Sequence, residues 1–444
     1  MGRLFGTDGV RGVAGRELTG ELAYALGAAA VRVLGRHGGR RPTVVVGRDT
    51  RASGDFLEAA LAAGICSAGG DVLLAGVQTT PAVAFLTTNL GSNAGVMVSA
   101  SHNPPQYNGI KFFSRDGYKL PDALEDEIES SVEETSGRSE GLDVGRIHPV
   151  PDARERYVDH LVAAAEAPLS GLRVVVDCAN GSAAIVAPEA LRWLGAEVHV
   201  IADQPDGRNI NVGVGAMHPE VVAAEVVRLG ADAGVAHDGD ADRALFADAD
   251  GNVVDGDQVL AACALALREA GRLTGNTVVT TVMANLGFRR CMEEAGIEVR
   301  TTKVGDRYVL EEMLRAGSVV GGEQSGHLIF AEHATTGDGV LTAIVFLSLA
   351  AKAGVSVADL AGRMQRFPQV LENVRVTDLA ALDAAGDVWT AVRAAETDLG
   401  DRGRILVRPS GTEPLVRVMV EAQTEEEART HVAAIADAVR RTLA

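Results

Sequence analysis

The segment TVVVGRDTRASGDFLEAALAAGICSAGGDVLLAG, residues 43–76, decides the fold class. It opens on a β-rich run, TVVVGRD (43–49), that turns polar at Arg48-Asp49. Residues 53–69 then read as an amphipathic helix ending on Gly69, and residues 71–76 return to β-rich character. Strand, polar stop, helix closing on glycine and second strand make a right-handed βαβ unit, hence a parallel sheet. The pattern recurs. RVVVDCANG (173–181), APEALRWLG (187–195) and AEVHVI (196–201) form a second copy. TVVTTVMAN (277–285), LGFRRCMEEAG (286–296) and IEVRTT (297–302) form a third.

A further apolar strand follows in every copy and ends in polar residues, at Ser101, at Asp238 in AGVAHD, and at Glu323 in SVVGGE. Loops at the carboxyl ends of strands carry the chemistry of α/β folds. Three related α/β domains with mixed, mostly parallel sheets therefore aim three different loops from equivalent positions. The tail departs from this repeat. RILVRPSGTEP (404–414) and LVRVMVEA (415–422) alternate like antiparallel strands, and Thr424 with Glu427 forms a capping box for a last helix. This reads as a small α+β domain entered after Arg366-Phe367-Pro368. The expected domains are 1–153, 154–255, 256–367 and 368–444.

Bulk properties narrow the function. With 444 residues, 47% hydrophobic but 4% aromatic, the chain has ample length for cores of Ala, Val and Leu. A formal charge of −19 argues against nucleic acid or an anionic membrane as partner. A phosphorylated substrate would need a locally basic site, since charges beyond about 8–10 Å are largely screened. Cys66, Cys178, Cys263 and Cys291 show no CxxC spacing, so reduced thiols are expected rather than a disulfide framework or zinc site. MGRLFGTDGVRG lacks an apolar signal core, and the run Ala343 to Ala351 is too short to span a bilayer. The expected location is cytoplasmic.

Four constellations carry chemistry. In VMVSASHNPPQYNGIKFF (96–113) a strand stops at Ser-Ala-Ser-His-Asn-Pro. Pro104 and Pro105 lack amide donors, and Pro104 biases Asn103 towards an extended conformation. Ser101 thus sits on a rigid turn at a strand end. Its hydroxyl needs a base, a cation or a metal to become a nucleophile; no G-x-S-x-G elbow, Walker A loop or GxGxxG fingerprint is present.

In AHDGDADRALF (236–246), Asp238, Asp240 and Asp242 alternate with Gly239 and Ala241. Extended chain points alternate side chains the same way, so three carboxylates converge. Hard oxygen ligands favour Mg²⁺ or Ca²⁺. An EF-hand fails, because Arg243 and Ala249 stand at its sixth and twelfth positions. A solvated acidic turn is the alternative, whereas Asp248 to Gly251 reads as a hairpin turn.

GGEQSGH (321–327) offers Glu323 and Ser325 to sugar hydroxyls and His327 as acid or base, against a plain glycine-rich turn. RPSGTEP (408–414) offers Arg408, Ser410, Gly411 and Thr412 as a phosphate nest near Arg417, against a turn with a solvated arginine. Arg11 in GTDGVRG and Lys111 in NGIKFF are basic candidates in motif-like surroundings. Arg48 and Arg307 are basic candidates more in keeping with ordinary ion pairs.

With these four motifs in this order, the chain resembles the α-D-phosphohexomutase superfamily over essentially its whole length. LFGTDGVRG and GEQSGH are similar to its amino-sugar branch rather than to its phosphomannomutase/phosphoglucomutase members. NINVGVGAMHPE (209–220) matches loosely and receives no role. The resemblance implies four domains around one cleft. It implies a phosphoserine at Ser101, and one Mg²⁺ held by Asp238, Asp240, Asp242 and a phosphoserine oxygen. Glu323 and Ser325 would hold sugar hydroxyls; Arg408, Ser410, Gly411, Thr412 and Arg417 would hold phosphate. His102 and Arg243 would be donors beside the phosphoserine, with Lys111, His327 and Arg11 serving the transfer. The implied reaction interconverts glucosamine 6-phosphate and glucosamine 1-phosphate through glucosamine 1,6-bisphosphate, feeding UDP-N-acetylglucosamine and peptidoglycan precursors. The partner is a small-molecule sugar phosphate, not nucleic acid or membrane, and a homodimer is admitted. The alternatives are a mannose or glucose phosphomutase of the same fold, or a metal-dependent sugar-phosphate phosphatase.

Overall fold

The computed structural model describes residues 4–6, 8–38, 41–134, 139–410 and 414–443. Two compact units emerge: Met1–Met283 with Glu298–Gly362, and Ala284–Ile297 with Arg363–Ala444.

In the first unit, the strand Thr43–Arg48 lies parallel to both Asp71–Val77 and Ala94–Val98. Val44, Val45 and Val46 are all fully buried. Val44 and Val46 enter one core with Leu26, Leu57 and Leu61 of the helices Gly20–Gly38 and Gly54–Ser67. Val45 points the other way, into a core with Val83 and Leu86 of the helix Thr80–Asn89. An unbroken apolar run is what a strand covered on both faces requires. Each such side chain contributes about 1.5–3 kcal/mol of burial.

The same frame is built three times. Arg173–Asp177 is parallel to Glu197–Ile201 and Ala233–His237, and Thr277–Thr281 is parallel to Glu298–Thr302 and Val320–Gly322. In each copy the last of these strands turns back into an antiparallel one: Tyr107–Ser114, Ala244–Asp248 and Leu328–Phe330. The loops after Val98, His237 and Gly322 therefore leave from equivalent corners. Strands end earlier than their sequence runs, at Arg48, Asp177 and Thr281, because the polar and small residues beyond turn out of the ladder. The apolar run around Ala343–Ala351 lies in the helix Gly339–Ala353, buried against the helix Gly256–Glu269. Among the described residues no helix is long and apolar enough to cross a membrane.

One element of the third copy is claimed elsewhere. The helix Leu286–Glu294 groups with the second unit. Asn285 there both donates to and accepts from the Phe367 backbone, and Leu286 N donates to Glu421 Oε2 at 2.8 Å. The rest of that unit is an antiparallel sheet in the order Gln369–Arg375, Leu415–Glu421, Arg404–Pro409. Val416, Val418 and Val420 pack there on Val432, Ile435 and Val439 of the helix Glu425–Leu443. The Thr424 half of the expected capping box is present, Glu427 N donating to Thr424 Oγ1 at 3.2 Å, while the Glu427 carboxylate accepts from Arg402 at 2.7 Å. The strand Gln369–Arg375 lacks a clear apolar alternation because Glu372 and Asn373 interrupt it.

The helices Gly20–Gly38 and Gly54–Ser67 touch through glycine. A Cβ on Gly64 would lie 2.0 Å from the Tyr24 carbonyl oxygen. Gly64→Ala should therefore destabilise the protein by about 1–3 kcal/mol in thermal or urea denaturation. A gain near the ~1 kcal/mol of helix propensity would instead mean that the helices can separate freely.

Candidate active site

The Ser101 loop is held by its carbonyls. Ser101 has φ +50°, a left-handed conformation that costs a non-glycine residue about 1–2 kcal/mol. Arg51 and Asp49, both fully buried, form an ion pair with Nε 2.9 Å from Oδ2. The remaining Arg51 nitrogens donate to the carbonyls of Ser101 (2.9 Å), Asn103 (2.8 Å) and Pro104 (2.6 Å). Asn211 Nδ2 donates to the Ser101 carbonyl as well, at 2.9 Å. On the amide side, Ser101 N donates to Ser99 Oγ, which donates to Asp49 Oδ2 at 2.6 Å. The Ser101 hydroxyl is left free to donate to Asp238 Oδ2 at 2.6 Å, with His102 Nδ1 3.3 Å away.

Asp238 opens the acidic loop. One carboxylate oxygen from each of Asp238, Asp240 and Asp242 lies within 4.8 Å of the others, and all three residues are buried. The residues between them are fitted to close approach. A Cβ on Gly239 would lie 2.7 Å from the Ser101 carbonyl oxygen. The Gly239 carbonyl accepts from both the amide and the hydroxyl of Ser182, at 2.9 and 3.0 Å. Ala241 takes φ +56°, which turns the chain between the second and third carboxylates. Burial and the Asp240 charge push Asp238 up to about 6, and the same causes, joined by Asp238, hold Asp242 well above the carboxylate range. Arg243 opposes both, its N 3.3 Å from Asp238 Oδ1 and its Nε 3.8 Å from Asp242 Oδ1. Asp240 Oδ1 and Asp242 Oδ1 are buried without a hydrogen-bond partner among the described residues. Hard, convergent and unsatisfied oxygens of this kind fit Mg²⁺.

The third loop joins the same region. Ala244 N donates to the Gly326 carbonyl at 3.1 Å, and Gly326 has φ +90° with no room for a Cβ beside Ala244. Glu323 accepts from Gly305 N at 3.0 Å, and burial raises its pKa. Ser325 Oγ and both ring nitrogens of His327 are buried without hydrogen-bond partners among the described residues; His327 Nε2 is 3.9 Å from Asp242 Oδ2. Burial lowers His327 to about 4; it does the same to His102, where Arg243 and Arg11 add repulsion. Lys111 behaves oppositely. Burial, the largest single influence, disfavours its charge, yet Asp306, 3.3 Å away, together with Asp8, Asp242 and Asp240 outweighs burial and holds the ammonium above its ordinary range. Arg11 pairs with Asp8 at 3.3 Å.

Ser101, His102, Lys111, the three aspartates, Arg243, Glu323 and His327 thus share one electrostatic neighbourhood in the first unit. Arg48 and Arg307 do not join it. Arg48 pairs with Asp55 and Glu58, and Arg307 with Asp122 and Glu311. In the second unit, Arg408 and Arg417 are direct cross-strand partners. Among the described residues neither guanidinium has a carboxylate partner, and burial with the Arg417 charge lowers Arg408. Ser410 Oγ is buried and has no hydrogen-bond partner among the described residues. Gly411 and Thr412 lie outside the described residues.

Sequence reasoning passed over Asp49, Arg51, Asn211, Asp306 and Thr80. Asn211 sits in the segment given no role, and Asp306 beside the arginine that attracted notice instead. Thr80 opens the helix after Thr79-Thr80-Pro81, a recognisable helix start, but nothing in that signature says what it faces.

Comparison with known proteins adds a second line of observation. Residues 2–139, 155–251, 255–367 and 371–438 match, in order, the models of phosphoglucomutase/phosphomannomutase domains I, II, III and the C-terminal domain. The chain is 56% identical over 440 residues to a protein of Saccharopolyspora erythraea named phosphoglucosamine mutase, covering 99% of each. It is likewise 56% identical over 443 residues to the phosphoglucosamine mutase of Thermobifida fusca, covering 99% of this chain and 98% of that one. Among solved structures, a phosphoglucomutase/phosphomannomutase family protein of Burkholderia thailandensis aligns with a TM-score of 0.82 at 25% identity. That alignment covers 99% of this chain and 97% of the other.

Two measurements check the site. Arg51→Leu strands Asp49 as a buried charge and should cost about 3–5 kcal/mol in urea denaturation; a cost below 1 kcal/mol would show that the clamp is dispensable. The imidazoles of His102 and His327 should stay neutral in an NMR titration from pH 8 to pH 5. Their folded values near 4 lie below the ordinary 6.5, so the unfolded chain takes up protons first. The stability these groups lend above pH 6.5 is accordingly lost as pH falls towards 4.

Proposed function

Because the chain belongs to the phosphoglucomutase/phosphomannomutase family, we propose that it acts as its full-length relatives are named, as a phosphoglucosamine mutase. It interconverts glucosamine 6-phosphate and glucosamine 1-phosphate. O6 and O1 of one sugar are too far apart for direct transfer, so phosphate must pass through a carrier. The observation that carries this reading is the Ser101 hydroxyl, buried and delivered at 2.6 Å to a carboxylate of the three-aspartate cluster. Ser101 is the carrier: as a phosphoserine it gives its phosphoryl group to one end of the sugar, making glucosamine 1,6-bisphosphate, and takes one back from the other end.

Asp238, Asp240 and Asp242 would hold Mg²⁺, which when bound supplies positive charge beside the phosphoryl oxygens. The chain contributes the rest. Arg243 and Arg11 are fixed cations beside Ser101. Lys111, kept charged by Asp306 and the neighbouring aspartates, donates a proton or stabilises charge and does not serve as a base at neutral pH. His327 and His102, kept neutral by burial, are free to accept. Glu323 and Ser325 meet sugar hydroxyls. Arg408, Ser410, Gly411, Thr412 and Arg417 grip the phosphate that is not moving. The cross-strand arginine pair supports that grip, since like charges directly opposite destabilise a sheet unless an anion lies between them. The division into domains on this reading is 1–153, 154–255, 256–367 and 368–444. The product supplies cytoplasmic synthesis of UDP-N-acetylglucosamine for peptidoglycan.

Turnover of the 6-phosphates of glucosamine, glucose and mannose under Mg²⁺ tests the reading. Glucosamine 6-phosphate should lead by at least tenfold; equal rates on all three would sink the assignment. Ser101→Ala should abolish turnover, and intact-mass measurement of wild type after incubation with the bisphosphate should show one added phosphoryl group. Free phosphate released in step with substrate loss would point to a phosphatase.

A further inference from the structure

We propose that Thr80 is a positioning residue for the metal ligand Asp240, an inference that rests on the reading of the three aspartates as a Mg²⁺ site. Thr80 is the first residue of the helix Thr80–Asn89, fully buried, in the first of the three repeated domains. It grips Asp240 twice. Its amide donates to the Asp240 carbonyl at 3.0 Å, and its hydroxyl donates to Asp240 Oδ2 at 2.5 Å.

These two bonds fix different things. The amide bond fixes where the backbone of the middle aspartate lies relative to the helix start. The hydroxyl bond fixes the rotation of its carboxylate, because Oδ2 is engaged and Oδ1 is the oxygen left buried without a partner. Without the hydroxyl, a carboxylate flanked by two like charges gains by turning away from them. The hydroxyl thus performs for Asp240 what outer hydrogen bonds do for metal ligands generally, holding the free oxygen in the converging set. The platform itself is rigid: the Thr79 hydroxyl accepts from Ala82 N at 3.1 Å, and Pro81 stands in the first turn. Asp238 has an equivalent constraint in Ser101. Asp240 has its constraint in Thr80.

The test is calorimetric titration of MgCl₂ into the full chain and into Thr80→Val, Thr80→Ala, Thr80→Ser and Asp242→Asn, with the metal-free melting temperature of each measured alongside. Thr80→Val removes the donor at nearly constant shape, whereas Thr80→Ser keeps it. The expected result is Mg²⁺ affinity about 10–100-fold weaker in Thr80→Val and Thr80→Ala and near wild type in Thr80→Ser. Wild-type affinity in Thr80→Val overturns the proposal. If Thr80→Val fails to fold, Thr80→Ala against Thr80→Ser decides in the same way, equal affinities overturning it. Asp242→Asn separates the two levels. If it binds Mg²⁺ like wild type, the metal-site reading fails; if it loses binding while Thr80→Val keeps it, only the role of Thr80 fails.

Discussion

The buried pair of Asp49 and Arg51 is the constraint on which the first unit's chemistry depends. Removing two charges from water costs several kcal/mol per ion, and their mutual attraction alone rarely recovers it. Here the remainder is recovered by saturation. Three further Arg51 hydrogen bonds go to the carbonyls of Ser101, Asn103 and Pro104, in a loop whose two prolines cannot donate amides. Asp49 also accepts from Ser99, which in turn receives the Ser101 amide. Pinned from both sides, Ser101 keeps a left-handed backbone and presents its hydroxyl to the acidic loop. Moderate affinity for any one partner is enough, because the network leaves the loop no alternative arrangement with its polar groups satisfied.

Repetition explains how distant loops reach one another. Each copy of the frame ends its third strand at the same corner, so one evolutionary device supplies a serine, an acidic cluster and a glutamate loop. Their close packing leaves no space for side chains at Gly239 and Gly326, where a Cβ would strike the Ser101 and Ala244 carbonyls. The electrostatic outcome is a division of labour within one acidic protein. Burial keeps His102 and His327 neutral, while Asp306, Asp8 and the acidic cluster together keep Lys111 charged despite burial.

Local pattern makes the strands, the serine turn and the aspartates legible in the sequence. Val44, Val45 and Val46 announce a strand buried on both faces, and the spacing of the aspartates announces converging carboxylates, although a turn at Ala241 rather than the extended chain expected brings them together. Hidden from such patterns are the residues whose task is to satisfy another loop. Arg51 and Arg48 look alike in VGRDTR, yet one is a buried clamp and the other a surface partner of Asp55. Asn211 and Thr80 act on residues about a hundred positions or more away, a pairing that topology assigns and no short window contains. The helix Leu286–Glu294 likewise reads as part of a third repeat, because its attachment to Glu421 is a long-range bond.

The facing pair Arg408 and Arg417 has one more consequence. A sheet with two guanidiniums opposite each other, neither with a carboxylate partner among the described residues, would be completed by an anion seated between them. On the phosphate-grip reading, occupancy becomes part of folding: an anion bound there would stabilise the small C-terminal sheet by mass action. Its melting temperature would then rise with the phosphate or sulfate content of the buffer, recording ligand binding without any catalytic readout.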